Sequence, residues 1–173
     1  MFNCHENPIM PPPRGAVAVS FINELTICEK SAVSFLRYWG STKTQPAAIG
    51  ELIWQLGKEE GQSGIQCLDQ ISIILKEKSR RPFLYHDVIC DCVGAHEMCF
   101  AKLISLSAKN QKTDAMIFAN HLVKPQALEG IYNLAQKFSH ILNLMIRPGN
   151  LIERNSNTAN KENLDRQTID FVE

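Results

Sequence analysis

His86-Asp87-Val88-Ile89-Cys90-Asp91-Cys92-Val93-Gly94-Ala95-His96-Glu97-Met98-Cys99 is the stretch on which the reading of this chain turns. It lies near the middle of 173 residues and divides two blocks whose apolar residues recur with helical spacing. Five histidine and cysteine side chains fall in these fourteen positions, although the whole chain holds only six Cys and five His. An even spread would place about one there.

Residues 83–93 carry no helical period. Tyr85, Val88, Ile89 and Val93 give them a partly β-like, partly buried character, so an ordered loop with a short strand is expected. Loops of this length are commonly functional or pinned by something. Gly94 then starts a helix to about Ser107. His96 and Cys99, three apart on its first turns, can face one side. Cys90 and Cys92 lie in the loop just before. The expected ligand set is therefore Cys90, Cys92, His96 and Cys99, a Cys₃His tetrahedron of the kind zinc takes in structural sites. His86 is a fifth donor close by. A helix N-terminus also favours thiolate over thiol.

Three features weigh against that set. Cys-x-Cys is tighter than the usual Cys-x₂-Cys knuckle, and no second knuckle occurs in the chain. Cys99 shares a face with Leu103 and Leu106, where a thiol serves as a small core hydrophobe. Cys90 and Cys92 also suit a thiol pair that responds to oxidants. The string Cys-x-Cys-x-Gly-x-x-Glu-x-x-Phe, from Cys90 to Phe100, has the look of a motif to which no chemistry attaches.

Upstream, residues 16–39 read as helical. Phe21, Leu25, Cys28, Ala32, Phe35 and Trp39 alternate steps of four and three, with Ile22, Val33 and Leu36 beside them. Thr26-x-x-Glu29 fits a capping box, so a break near Thr26 is built in, and β-branched Val17, Val19 and Ile22 weaken the first part. Pro46 opens a second helix through Ile49, Leu52, Ile53 and Leu56, which Gly57 and Gly61 end or loosen. Residues 65–78 form a third, with Ile71, Ile74 and Leu75 inward. Its closing Lys76, Lys78, Arg80 and Arg81 suit the negative end of the helix dipole as a solvated turn.

Downstream of the central stretch, a helix over 115–123 pairs with the preceding one as an αα-hairpin. Pro125 opens the last long helix, where Ala127, Ile131, Leu134, Phe138, Ile141 and Met145 keep the four–three alternation.

The ends differ from the middle. Residues 1–13 hold Pro8 and Pro11-Pro12-Pro13 and read as a flexible tail, with Cys4-His5 as a stray donor pair. Residues 150–173 are polar and rich in asparagine and read as a second flexible tail. Its Ile169-Asp170-Phe171-Val172 is apolar enough for a short docking motif, against the plainer reading of a frayed end.

Formal net charge is zero, and acids and bases balance in each half: eight of each in 1–80 and ten of each in 81–173. No single-sign field points to nucleic acid or to an anionic membrane. No apolar run is long enough to span a bilayer, and Glu6 and the prolines spoil a signal peptide. A cytoplasmic setting with reduced thiols is expected. Walker, Gly-x-Ser-x-Gly, His-Glu-x-x-His and Rossmann patterns are all missing. A helix-turn-helix drawn over 46–78 lacks the exposed polar row that base reading needs.

The expected fold is all-α: one helical bundle, over 14–149, of about six or seven amphipathic helices, with an irregular Cys/His-rich loop in mid-chain. The expected function leans away from an enzyme, toward a small helical interaction or regulatory protein with another protein as partner. The alternative is a zinc-binding or thiol-redox-responsive protein working through the Cys90 to Cys99 segment.

Overall fold

The computed structural model describes residues 14–146. Both terminal tails, including Cys4-His5 and the Ile169 to Val172 motif, lie outside the described residues. Within that span the chain is mostly helical. The α-helices are α1 (Ile27–Trp39), α2 (Gln45–Glu77), α3 (Ala95–Ala108), α4 (Lys112–Leu122) and α5 (Leu128–Ile146). Short 3₁₀ turns occupy Arg14–Ala16, Ile22–Glu24 and Pro125–Ala127. Two short strands, β1 (Ala18–Phe21) and β2 (Cys92–Gly94), pair antiparallel.

The start of the chain departs from the expected helix. Residues 18–21 form β1, which lies on β2 in the register Ala18↔Gly94, Ser20↔Val93 and Phe21↔Cys92, with an irregularity between Ala18 and Ser20. Branched Val17 and Val19 favour the extended form, and β2 supplies the pairing partner that sequence alone did not reveal. The helix begins only after Thr26. There the predicted capping box forms: Thr26 Oγ1 accepts from the Glu29 N–H at 3.4 Å, and the Thr26 N–H donates to Glu29 Oε2 at 3.1 Å.

The expected break in α2 is found at Gly57. The two helices expected on either side of Gly57 and Gly61 are present as the two arms of one 33-residue span, which breaks at Gly57 (φ 79°, ψ −178°). The bend is sharp. A Cβ built on Gly64 would lie 3.2 Å from Leu52 Cδ2, whereas a straight helix would hold those positions about 18 Å apart. Counted as spans, the described residues hold five α-helices, with α2 divided into two arms at Gly57, and the expected six or seven is not reached on that count.

One apolar cluster runs through all five helices. Phe100, Leu103 and Ile104 of α3, Phe35 and Leu36 of α1, Leu68 and Ile71 of α2, Ala119 of α4 and Phe138 of α5 all belong to it. Phe35 and Phe138 meet edge to face, with ring centroids 6.0 Å apart. A smaller cluster of Val33, Val93 and Ala101, with Ile22, Leu25 and Met98 against it, seats the β1–β2 ribbon on α1 and α3. This seating brings the central stretch against the buried side of α1. Among the described residues no helix is long and apolar enough to cross a membrane.

Candidate metal centre

Val33 and Arg37 sit one helical turn apart on the face of α1 that meets the ribbon. Val33 is apolar; Arg37 is a full charge, 1% exposed. A buried guanidinium must have its donors satisfied and its charge countered. Glu97, in the first turn of α3 and fully buried, does both. Arg37 Nε lies 2.7 Å from Glu97 Oε1, and Nη2 lies 3.0 Å from Oε2, a two-point fork on the carboxylate. The rest of the guanidinium holds the loop. Arg37 Nη1 donates to the Cys90 carbonyl at 2.5 Å and Nη2 to the Cys92 carbonyl at 2.6 Å.

Glu97 is held as tightly from its other side. The Gly94 N–H donates to Oε2 at 2.8 Å, which caps the start of α3, and the His86 N–H donates to Oε1 at 3.0 Å. Burial alone would raise this carboxyl. The His86 ring, the Arg37 guanidinium and the Gly94 N–H outweigh burial and hold it down at about 2.

The His86 ring is 1% exposed and lies between acceptors. Nε2 is 2.9 Å from the Ala16 carbonyl. Nδ1 is 3.1 Å from the Cys92 carbonyl and 3.3 Å from Glu97 Oε2. Carbonyl oxygens only accept, so these contacts favour a proton on each ring nitrogen. The Glu97 carboxylate raises the His86 pKa, against the opposing effect of burial, and the Cys92 and Ala16 carbonyls help.

Two sulphurs complete the cluster. Cys92 Sγ is 3.6 Å from His86 Nδ1, and Cys90 Sγ is 2.6 Å from Cys92 Sγ. His86, Cys90 and Cys92 thus present one imidazole nitrogen and two sulphurs, all within 4.8 Å of one another and all buried. Their backbones are fixed as well: the Cys90 N–H donates to the Asp87 carbonyl at 3.1 Å, and the Asp91 carbonyl accepts from the Ile22 N–H at 2.8 Å.

The four residues expected as ligands divide. Cys90 and Cys92 come together, and His86 joins them. His96 is turned elsewhere: its Nδ1 accepts the Leu84 N–H at 3.1 Å, and its ring stacks on Phe83 with centroids 5.2 Å apart. The ring also fills the space over Gly15, where a Cβ would fall 2.1 Å from His96 Cε1. Burial, helped by Arg81, lowers its pKa and suits its role as an acceptor. Cys99 is half-buried against the main apolar cluster, and burial raises its thiol pKa. Neither belongs to the close donor group.

Sequence reading noted His86 but left it outside the ligand set, and did not mark Arg37 as functional. Glu97 did appear, in the string from Cys90 to Phe100. Each fixed residue of that string now has a place. Cys90 and Cys92 supply sulphur, Gly94 caps α3, Glu97 pairs with Arg37, and Phe100 is a core side chain.

Zinc takes sulphur at about 2.3 Å and imidazole nitrogen at about 2.0–2.1 Å, so a tetrahedral site needs an S···N edge of about 3.6 Å and an S···S edge of about 3.8 Å. The Cys92 to His86 edge, at 3.6 Å, already fits. The Cys90 sulphur, 2.6 Å from its neighbour, must swing outward by about 1 Å. His86 would give up its Nδ1 proton and keep its Nε2–H on the Ala16 carbonyl, the outer bond that usually orients a ligating histidine. Two thiolates, a dication and the Arg37–Glu97 pair then sum to zero charge. No family model, curated protein or solved structure matches the chain.

Proposed function

We propose that the chain is a small helical, non-enzymatic regulatory protein that binds a soft divalent cation, zinc foremost, through His86, Cys90 and Cys92. One observation carries the reading: two sulphurs and an imidazole nitrogen, drawn from a loop and a strand, lie within 4.8 Å of one another in a buried setting. Soft sulphur and imidazole donors select zinc and its like over magnesium or calcium. Three protein ligands leave the fourth position to water or to an exchangeable donor.

Two apolar hollows on the helical surface support the interaction side of the reading. A groove of about 580 Å³ is lined by Phe35 and Tyr38 of α1, Ala48 of α2 and Leu142 of α5, and a hollow of about 310 Å³ lies under Phe83 and Tyr85. Neither is lined by His86, Cys90 or Cys92, so both hollows lie apart from the donor cluster. The reading goes with a reducing, cytoplasmic setting, in which thiols persist as ligands.

Elemental analysis of untagged protein purified without chelator, beside a thiol titration, tests it. The expected result is about one zinc per chain, with two thiols protected until chelator is added. Metal-free protein that takes up no added zinc would overturn the reading.

A further inference from the structure

Cys90 and Cys92 are held in a way that suits a second chemistry. Their sulphurs stand 2.6 Å apart, inside the distance of two resting thiols and outside the S–S bond of about 2.05 Å. Arg37 grips the carbonyls of both residues at 2.5 and 2.6 Å, so both are anchored to one rigid group. Asp91 between them is exposed, and Ile89 beside them is 89% exposed, so the pair lies just beneath the surface at the tip of its loop. The remaining described cysteines, Cys28, Cys67 and Cys99, belong to the main apolar cluster or pack against it.

We infer that Cys90 and Cys92 form an oxidant-sensitive pair that closes to a disulfide and thereby releases the bound metal. The inference rests on the metal-site reading for what is released. Its covalent step stands on the two sulphurs alone.

The oxidant class is a peroxide. One thiolate sulphur attacks the O–O bond of hydrogen peroxide and takes one oxygen, and hydroxide leaves and is protonated to water. The sulfenic acid so formed is attacked by the second thiolate, the S–S bond closes, and the second oxygen leaves as water. Two electrons pass from the sulphurs to the peroxide, and two protons are consumed when both sulphurs start as thiolates. Neither sulphur of a disulfide remains a thiolate donor. The dication is left with His86 alone and dissociates with its charge unchanged.

The test uses the full reduced chain loaded with zinc and treated with hydrogen peroxide. Zinc release is followed with a chromophoric chelator, and the products by non-reducing peptide mass mapping. The expected result is loss of the zinc in step with loss of two hydrogens from the peptide carrying Cys90 and Cys92, both reversed by dithiothreitol and fresh zinc. Cys99→Ala should respond as wild type. Cys92→Ser should yield no such disulfide, and its Cys90 should run on to sulfinic acid.

The same mapping on metal-free reduced protein separates the two readings. A disulfide there, in a chain that never takes up zinc, overturns the metal site and keeps the covalent pair. Zinc that binds but is retained through peroxide treatment, with Cys90 and Cys92 still reduced, overturns the inference and keeps the metal site. Oxidation falling first on Cys28, Cys67 or Cys99 also overturns it.

Discussion

Arg37 on α1 and Glu97 on α3 form a buried two-point ion pair, with Nε 2.7 Å from Oε1 and Nη2 3.0 Å from Oε2. The same guanidinium reaches the Cys90 and Cys92 carbonyls, so one side chain ties two helices to the donor loop. Removing one partner of such a pair strands the other charge in a dry interior, at a cost of roughly 3–5 kcal/mol. Glu97→Gln should lower the melting temperature markedly in a thermal scan. Arg37→Lys should not behave as a conservative change, because one ammonium cannot serve the carboxylate and both carbonyls. Wild-type melting of Glu97→Gln would contradict this account of the brace.

Acid should weaken the fold through Glu29. Burial alone would raise its carboxyl, but Lys102, with Thr26, holds it down at about 2. Lys102 Nζ lies 2.7 Å from Oε1, and Ser105 Oγ adds a bond at 3.1 Å. The folded-state value lies below the ordinary glutamate value of about 4.5, so the carboxylate's contribution is complete above about 4.5 and is lost as pH falls toward 2. Denaturant midpoints across that window should fall more steeply for wild type than for Lys102→Met.

Gly57 has a backbone conformation (φ 79°, ψ −178°) that only glycine adopts readily. A Cβ there would meet nothing within 4 Å, so the cost of Gly57→Ala is torsional and not steric. About 1–3 kcal/mol of destabilisation is expected, read as a lower urea midpoint. An unchanged midpoint would mean that α2 tolerates another bend.

Ser107 Oγ is buried on α3 and has no hydrogen-bond partner among the described residues. Replacing it with a methyl group removes an unsatisfied polar atom. Ser107→Ala should melt at or above the wild-type temperature, and a clear drop would reveal a partner for the hydroxyl.

Most helices were legible because their stripes are regular: Phe35, Leu36 and Trp39 in α1 and Ile131, Leu134, Phe138, Ile141 and Met145 in α5 face the core. Thr26 and Glu29 marked the start of α1 by a local bond, and Gly94 did the same for α3. β1 was hidden because its pairing partner lies more than seventy positions away, and four residues of extended chain carry too little period to outweigh a helical stripe. The candidate site was half legible for the same reason. Cys90 and Cys92 are neighbours in sequence. His86 joins them only because Ala16 and Glu97 orient its ring, and spacing on α3 favoured His96 and Cys99. Local spacing showed that His96 could reach the loop; it could not show that Phe83 and Gly15 hold its ring instead.

X-ray absorption at the zinc edge of the loaded chain reads the ligand set itself. The expected spectrum has two sulphur scatterers at about 2.3 Å, one imidazole nitrogen at about 2.0 Å and one further light atom, with the imidazole signature lost in His86→Ala and kept in His96→Ala. Three sulphurs, or a signature that depends on His96, would contradict it and return the site to a set containing Cys99.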